Sequence, residues 1–368
     1  MADGEDGGLL VGAADAARLA MLSHKQVFGE VMGRIAERDA DLTVVVSDYG
    51  RRLNLERMRE LRPDGFVQCG IAEQNQVEVA AALANEGFCV FAPSYATFIT
   101  SRVLDQLRVN LGIMSSPVIL VGVSCGCDSG TLGASHMALE DIGCTRQLPG
   151  VTVVCPSDNA EFAAVLMELA ERPRPAYVRM NDIGGVNLHP HGVGRVIGRA
   201  QSLRPSRPAV AEGERGEAPC VCVVACGTLC AQALAAADLL AARGISCELI
   251  EMATIKPLDM AALDGVASCG LVVSVEEHSV IGGLGSAIAE HLCDRGVGVP
   301  LLRLGMPDRY LEADERDALL ARAGLDALGI AKAIADRVEA KGLAQAAPDG
   351  RLSPRPCEDL ASSYGDTE

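Results

Sequence analysis

One carboxylate stands out among the residues able to do chemistry. In GIAEQNQVEVAAALANEG, residues 70–87, Glu73 opens an alanine-rich segment. At helical spacing Glu73, Val77, Ala80 or Ala81, and Ala84 share one face, so a charge heads an otherwise apolar stripe. A carboxylate in a first helical turn complements the helix dipole, an effect of about 0.3–1 kcal/mol. A desolvated carboxyl can instead hold a proton and share it with a ligand. Periodicity alone favours the dipole.

His136 is a second candidate. It closes the Gly-rich loop GTLGASH after the strand-like run VILVGVSC. Open α/β sheets bind ligands in loops beyond strand C-termini, although a His at a loop–helix junction also serves structure. Tyr95 and Phe98, in PSYATF after another strand, are a third. The chain has only five Tyr and six Phe, so two rings three apart in a loop are notable, even though packing is the commonest use of such rings. GGLGSA (282–287) has the wrong spacing for a dinucleotide fingerprint and reads as close helix–strand packing. Cys220, Cys222, Cys226 and Cys230 lack the paired CxxC spacing of a zinc site and read as buried thiols. No metal-ligand set is read in this chain.

Elements that would position these residues alternate throughout. Buried strand-like runs (LTVVV, CVFAP, VILVGV, TVVC, AYVRM, then VCVVA, CELIE, LVVSVEE) are separated by alanine-rich helical stretches, including one from Thr97 to Leu111. That alternation predicts an α/β fold of two doubly wound domains. A length of 368 residues agrees with two domains. The pattern divides the chain into a flexible N-terminal arm (1–23), a first domain (24–190), a linker or insertion (191–219), a second domain (220–340) and a disordered tail (341–368). A formal net charge of −17 excludes the basic surface needed to bind nucleic acid or an anionic membrane. The acidic N-terminus does not read as a secretory signal and no apolar run is long enough to span a membrane, so a cytoplasmic protein is expected.

Five stretches in order, GIAEQN, SYATFITSRVLDQLRVN, GASHMALEDI, CPSDNAEF and VEEHSVIGGLGSAIAE, resemble the C-terminal half of transketolases, especially the beta subunits of split transketolases. The resemblance spans about residues 24–340. It implies a transferase that moves a two-carbon ketol or related acyl unit from a ketose or 2-oxo donor to an aldehyde acceptor. By the same resemblance Glu73 hydrogen-bonds a ring nitrogen of the aminopyrimidine of thiamine diphosphate and drives it toward the imino form. Phe98 stacks on that ring with Tyr95 beside it, Asp48 lies in the cofactor loop, and His136 faces the substrate. The two domains become a pyrimidine-binding domain and a transketolase C-terminal domain. The family's GDG…N motif, which holds Mg²⁺ and the diphosphate, is absent. A partner N-terminal (alpha) subunit is therefore expected to supply it, in an α₂β₂ heterotetramer.

Departures from the family pattern fall on the substrate side. Ser124 and Leu132 stand where sugar-phosphate transketolases place a His and an Asp that contact the sugar. Arg179 is kept, but Asp182 stands where a phosphate-binding Arg is expected, which disfavours a dianion. Arg179, Arg51 or Arg52 remain candidates for a weaker anion. Two alternatives stay open: the beta subunit of a 2-oxoacid dehydrogenase, and a non-catalytic scaffold subunit.

Overall fold

The computed structural model describes residues 8–181, 184–205 and 221–340. In chain order the strands are β1 (Val11–Gly12), β2 (Leu42–Val46), β3 (Phe66–Gln68), β4 (Cys89–Tyr95), β5 (Ile119–Val123), β6 (Thr152–Val154), β7 (Ala176–Met180), β8 (Gly192–Val193), β9 (Gln201–Arg204), β10 (Val221–Ala225), β11 (Cys247–Glu251), β12 (Thr254–Lys256), β13 (Leu271–Ser279) and β14 (Leu301–Met306). Two sheets dominate. One has seven strands in the order β12-β6-β7-β5-β4-β2-β3, and the other five in the order β14-β13-β10-β11-β9.

Both sheets are parallel except at one edge each, where β12 and β9 pair antiparallel. Strands β2, β5, β7 and β10 are buried along their whole length. That is why they read as unbroken apolar runs rather than alternating ones: helices cover both faces of such sheets. The α/β class expected from the alternation is the class observed.

Local signals explain the main helices. Ser23 and Gln26 form a reciprocal capping box that starts the His24–Ala36 helix. Asp158 caps Asn159–Glu171 through the Glu161 amide. Glu276 performs an unusual version of the same task at the Leu284–Asp294 helix. Its two carboxylate oxygens accept from the amides of Leu284 (2.6 Å) and Gly285 (2.8 Å), and burial pushes its acid up to about 7. A carboxylate thus occupies the helix end where a dinucleotide phosphate would sit. A Cβ on Gly283 would lie 1.9 Å from Glu276 Oε2, so these glycines do serve close packing.

Several details depart from the sequence reading. The helix expected over Thr97–Leu111 is broken into Ala96–Ile99, a 3₁₀ turn Ser101–Val103, Leu104–Leu107 and a π-helical Arg108–Ile113. The Thr100 hydroxyl bonds back to the Ala96 carbonyl at 2.6 Å at the break. Within the segment assigned to an N-terminal arm, Ala13–Leu19 is a helix with buried Ala16 and Leu19. Gln201–Arg204, placed in the linker, pairs with β11. The remainder of that insertion from 206 to 219, position 220, and the tail from 341 lie outside the described residues. The two halves are laced together, because β12 leaves the second half to extend the first sheet beside β6. Most described cysteines are buried and none of them is in a disulfide; Cys220 lies outside the described residues. No described helix is long and apolar enough to cross a membrane.

Candidate functional site

Gly70, at φ +78°, turns the chain out of β3 into the Glu73–Asn85 helix. The helix has no side-chain cap at Ala72. Its first turn is pinned instead by Gln76, whose buried Nε2 donates to the carbonyls of Val45 (2.8 Å) and Pro93 (3.1 Å) at the ends of β2 and β4. This places Glu73, only 3% exposed, beneath the C-terminal ends of the central strands. Its neighbour Ile71 is 76% exposed.

Glu73 Oε2 accepts from Arg102 Nη1 at 3.0 Å. The same guanidinium lies on the face of Phe98, 3.8 Å from the ring centroid, within cation–π range. Phe98 continues into a cluster of rings. Phe98 and Tyr95 are 5.7 Å apart, and His136 stands edge-on to both at 5.3 and 5.5 Å. Tyr49 packs on Tyr95 at 4.8 Å. Burial, then Tyr49, pushes the Tyr95 phenol above its ordinary range. Glu73, Arg102, Phe98, Tyr95 and His136 therefore form one continuous surface. A carboxylate, flat stacking faces and an imidazole are brought together there from three segments of chain.

Asp48, itself exposed, opens the 3₁₀ turn Tyr49–Arg52 after β2, and the Ser47 hydroxyl donates to its carboxylate at 3.5 Å. Ser47 is itself buried against Ser94, their hydroxyls 3.2 Å apart. Arg51 and Arg52 are exposed in the same turn, and Arg52 reaches over Tyr49 at 5.6 Å. Ser124 follows β5 in the left-handed region at φ +57°. A non-glycine residue there marks strain of the kind that collects at functional sites. Leu132, 54% exposed, sits in the Gly130–Leu132 turn.

The loop carrying His136 is held from below by the second half of the chain. Gly126 and Ala138 exchange two backbone bonds of 3.0 Å across its base. Glu277, on β13, accepts from the Cys127 amide at 2.8 Å and pairs with Arg316. Gly126 is required there, since a Cβ would come within 2.5 Å of Glu277 Oε1. His136 is half-buried, with Nδ1 3.0 Å from the Ser135 hydroxyl.

Arg179, expected on the substrate side, is engaged by a carboxylate of this chain. It is buried, and it grips Asp141 with Nε (2.7 Å) and Nη2 (3.1 Å) while Nη2 also reaches the carbonyls of Ala138 and Glu277. Tyr177 adds its hydroxyl to Asp141 at 2.6 Å. Its charge is balanced by Asp141, and its bonds to the Ala138 and Glu277 carbonyls clamp the base of the His136 loop. Asp182 lies outside the described residues.

Arg102, Gln76 and Tyr49 were missing from the sequence candidates. Arg102 follows Phe98 by four residues and Gln76 follows Glu73 by three, spacings that would have flagged both as same-face partners. Tyr49 had only its place beside Asp48.

Comparison with known proteins gives a consistent result. Residues 20–183 match the transketolase pyrimidine binding domain and residues 211–330 the transketolase C-terminal domain. The chain is 31% identical over 314 residues to an apulose-4-phosphate transketolase subunit of Phocaeicola vulgatus, covering 85% of this chain and 96% of that one. It is 32% identical over 318 residues to the 6-deoxy-6-sulfo-D-fructose transketolase subunit SqwH of a Clostridium species, covering 86% and 95%. Among solved structures it is similar to a split-gene transketolase described as an inactive beta4 tetramer, with a TM-score of 0.73 and 29% identity over 86% of this chain and 98% of that one.

Proposed function

The chain belongs to the transketolase family, and on that footing we propose that it is the beta subunit of a split transketolase. In this reading it is a transferase that uses thiamine diphosphate to move a two-carbon ketol unit from a ketose donor to an aldehyde acceptor. The observation that carries the reading is the seat of Arg102. Its guanidinium, a flat group with N–H donors, lies on Phe98 and bonds to buried Glu73. An aminopyrimidine is likewise flat and nitrogen-rich, so the residues present fit that part of the cofactor.

When bound, thiamine diphosphate supplies a nucleophilic carbon and an electron sink. Glu73 would hold the pyrimidine by a shared proton, and low exposure makes that proton's position decisive. Phe98 would stack on the ring with Tyr95 beside it, and Asp48 would lie at the loop edge. His136, edge-on to both aromatics, would bind substrate oxygens and move protons there. Ser124 and Leu132 would line the substrate side.

The diphosphate and Mg²⁺ are assigned to a partner alpha subunit, since this chain carries no GDG motif. Exposed Ile71, Leu132, Ile113 and Met114 supply apolar surface for such a partner. An α₂β₂ assembly acting in the cytoplasm follows from the same reading. With Arg179 committed to Asp141 and Leu132 facing solvent, the substrate is a sugar other than the ordinary pentose phosphates, and any terminal anion would meet Arg51 or Arg52. The transketolase relatives favour this reading over a 2-oxoacid dehydrogenase, and the retained Glu73, Phe98 and His136 favour it over a scaffold.

The test is ketol transfer by the purified chain, by a partner carrying the GDG…N motif, and by both together. Transfer only in the mixture is expected. Full activity of this chain alone would overturn the split site, and efficient turnover of xylulose 5-phosphate would overturn the substrate assignment.

A further inference from the structure

Away from that site, four titratable side chains converge where three elements meet. Asp158 caps the Asn159–Glu171 helix, Glu161 lies in its first turn, His189 precedes β8, and Glu251 ends β11 of the second sheet. All four are buried. The His189 ring bridges the group, with Nδ1 2.9 Å from Asp158 Oδ2 and Nε2 3.0 Å from Glu251 Oε2. One ligand atom each from Glu161, His189 and Glu251 lie within 4.8 Å of one another.

The hydrogen bonds fix which atoms are left over. Asp158 is an acceptor throughout: Oδ1 takes the Glu161 amide, and Oδ2 takes the amides of Leu188 and His189. It therefore accepts the Nδ1–H of His189, and Nε2 is aimed at Glu251 Oε2, a spacing at which a proton or a metal ion must lie between the two acceptors. Glu161 Oε2 accepts from the Ser157 amide at 2.8 Å. Glu161 Oε1 and Glu251 Oε1 are buried without a hydrogen-bond partner. Two carboxylates that converge on one imidazole thus each carry a buried oxygen without a partner, and unpaired buried acceptors are costly.

We infer that Glu161, His189 and Glu251 hold a divalent metal ion of the Zn²⁺ or Mn²⁺ class, with Asp158 as the positioning residue behind His189. One imidazole and two carboxylates suit these ions; they are too hard for Cu(I) and too few in oxygen for a Ca²⁺ cage. A carboxylate behind the ring fixes its tautomer and aims the other nitrogen, the usual outer-shell arrangement at metal-bound histidine. The ion would join a helix of the first half to the C-terminal end of β11 in the second sheet. Its role is a clamp between the two halves, separate from the Glu73 surface. Sequence spacing could not show it, because positions 161, 189 and 251 lie on three distant segments.

The competing occupant is a proton. In the metal-free chain burial pulls the His189 ring down, but Asp158 and Glu251 outweigh it and push it up to about 11.

The test begins with elemental analysis of the full chain purified without chelator. About one Zn or Mn per chain is expected. Stripping it should lower Tm, Zn²⁺ or Mn²⁺ alone should restore it, and X-ray absorption should show nitrogen and oxygen neighbours without sulfur. Asp158→Asn should weaken metal binding about 10–100-fold, and His189→Gln should abolish it. If the His189 variant does not fold, the metal dependence of the wild-type Tm decides the matter. A wild-type chain that takes up neither ion and keeps its Tm in chelator overturns the proposal in favour of the proton. Metal retained at full stoichiometry by a folded His189→Gln chain also overturns it.

Discussion

Replacing Asp141 with Asn removes the charge that faces Arg179 while preserving shape. Arg179 is buried and has both Nε and Nη2 on that carboxylate, so the variant strands a guanidinium in the interior. Breaking a buried pair by deleting one partner costs about 3–5 kcal/mol. With a urea slope of about 2 kcal/mol/M, the midpoint should fall by about 2 M. Replacing Arg179 by Met in the same chain should return much of that loss, because the orphaned charge goes too. The pH dependence follows from Asp141. Burial pushes its carboxyl up, but the Arg179 charge outweighs this and holds it below the usual range. A depressed acid stabilises the fold above the ordinary carboxylate pKa, and that stabilisation is lost as pH falls through the lower folded value. The gap between wild type and Asp141→Asn should thus be full at pH 7 and close only in strong acid. Urea titrations at several pH values measure it. A midpoint change under about 0.5 M at pH 7 would refute the clamp, as would an Arg179→Met variant that keeps its stability but loses affinity for anionic substrates.

Other consequences can be checked separately. Phe98→Ala should weaken cofactor binding in the assembled enzyme about 2–10-fold, the worth of one aromatic stack, measured by titration. Arg102→Ala should shift stability by less than about 1 kcal/mol, because its side chain is 40% exposed. It should nevertheless tighten cofactor binding a few-fold by clearing the face of Phe98. Gly283→Ala would press a Cβ on Glu276, and a loss of about 1–3 kcal/mol is expected in urea unfolding. Glu276 titrates near 7 when folded, so stability should fall as pH rises from the ordinary Glu range of about 4.3 through 7. Glu276→Gln should flatten that slope.

Much of this arrangement can be read from the chain because central parallel strands are buried on both faces and leave unbroken Val, Ile and Leu runs. Edge strands such as β3 and β12, three residues each, leave no periodicity. Glu73 was conspicuous because a charge at the head of an apolar stripe needs a reason. The Arg179–Asp141 pair was not legible: Asp141 lies 38 residues earlier in sequence, and no local pattern links a strand arginine to a distant carboxylate. Arg102 could have been read from its spacing of four from Phe98, but the break in the expected helix at Thr100, a tertiary event, could not.

Near-UV circular dichroism during a thiamine diphosphate and Mg²⁺ titration tests the central claim most directly. It should be recorded for this chain alone, for the chain with its partner, and for the Glu73→Gln chain with that partner. A cofactor signal only with the partner, altered or lost in Glu73→Gln, is the predicted result. Tight binding by the isolated chain, or an unchanged signal and activity in Glu73→Gln, would contradict the account.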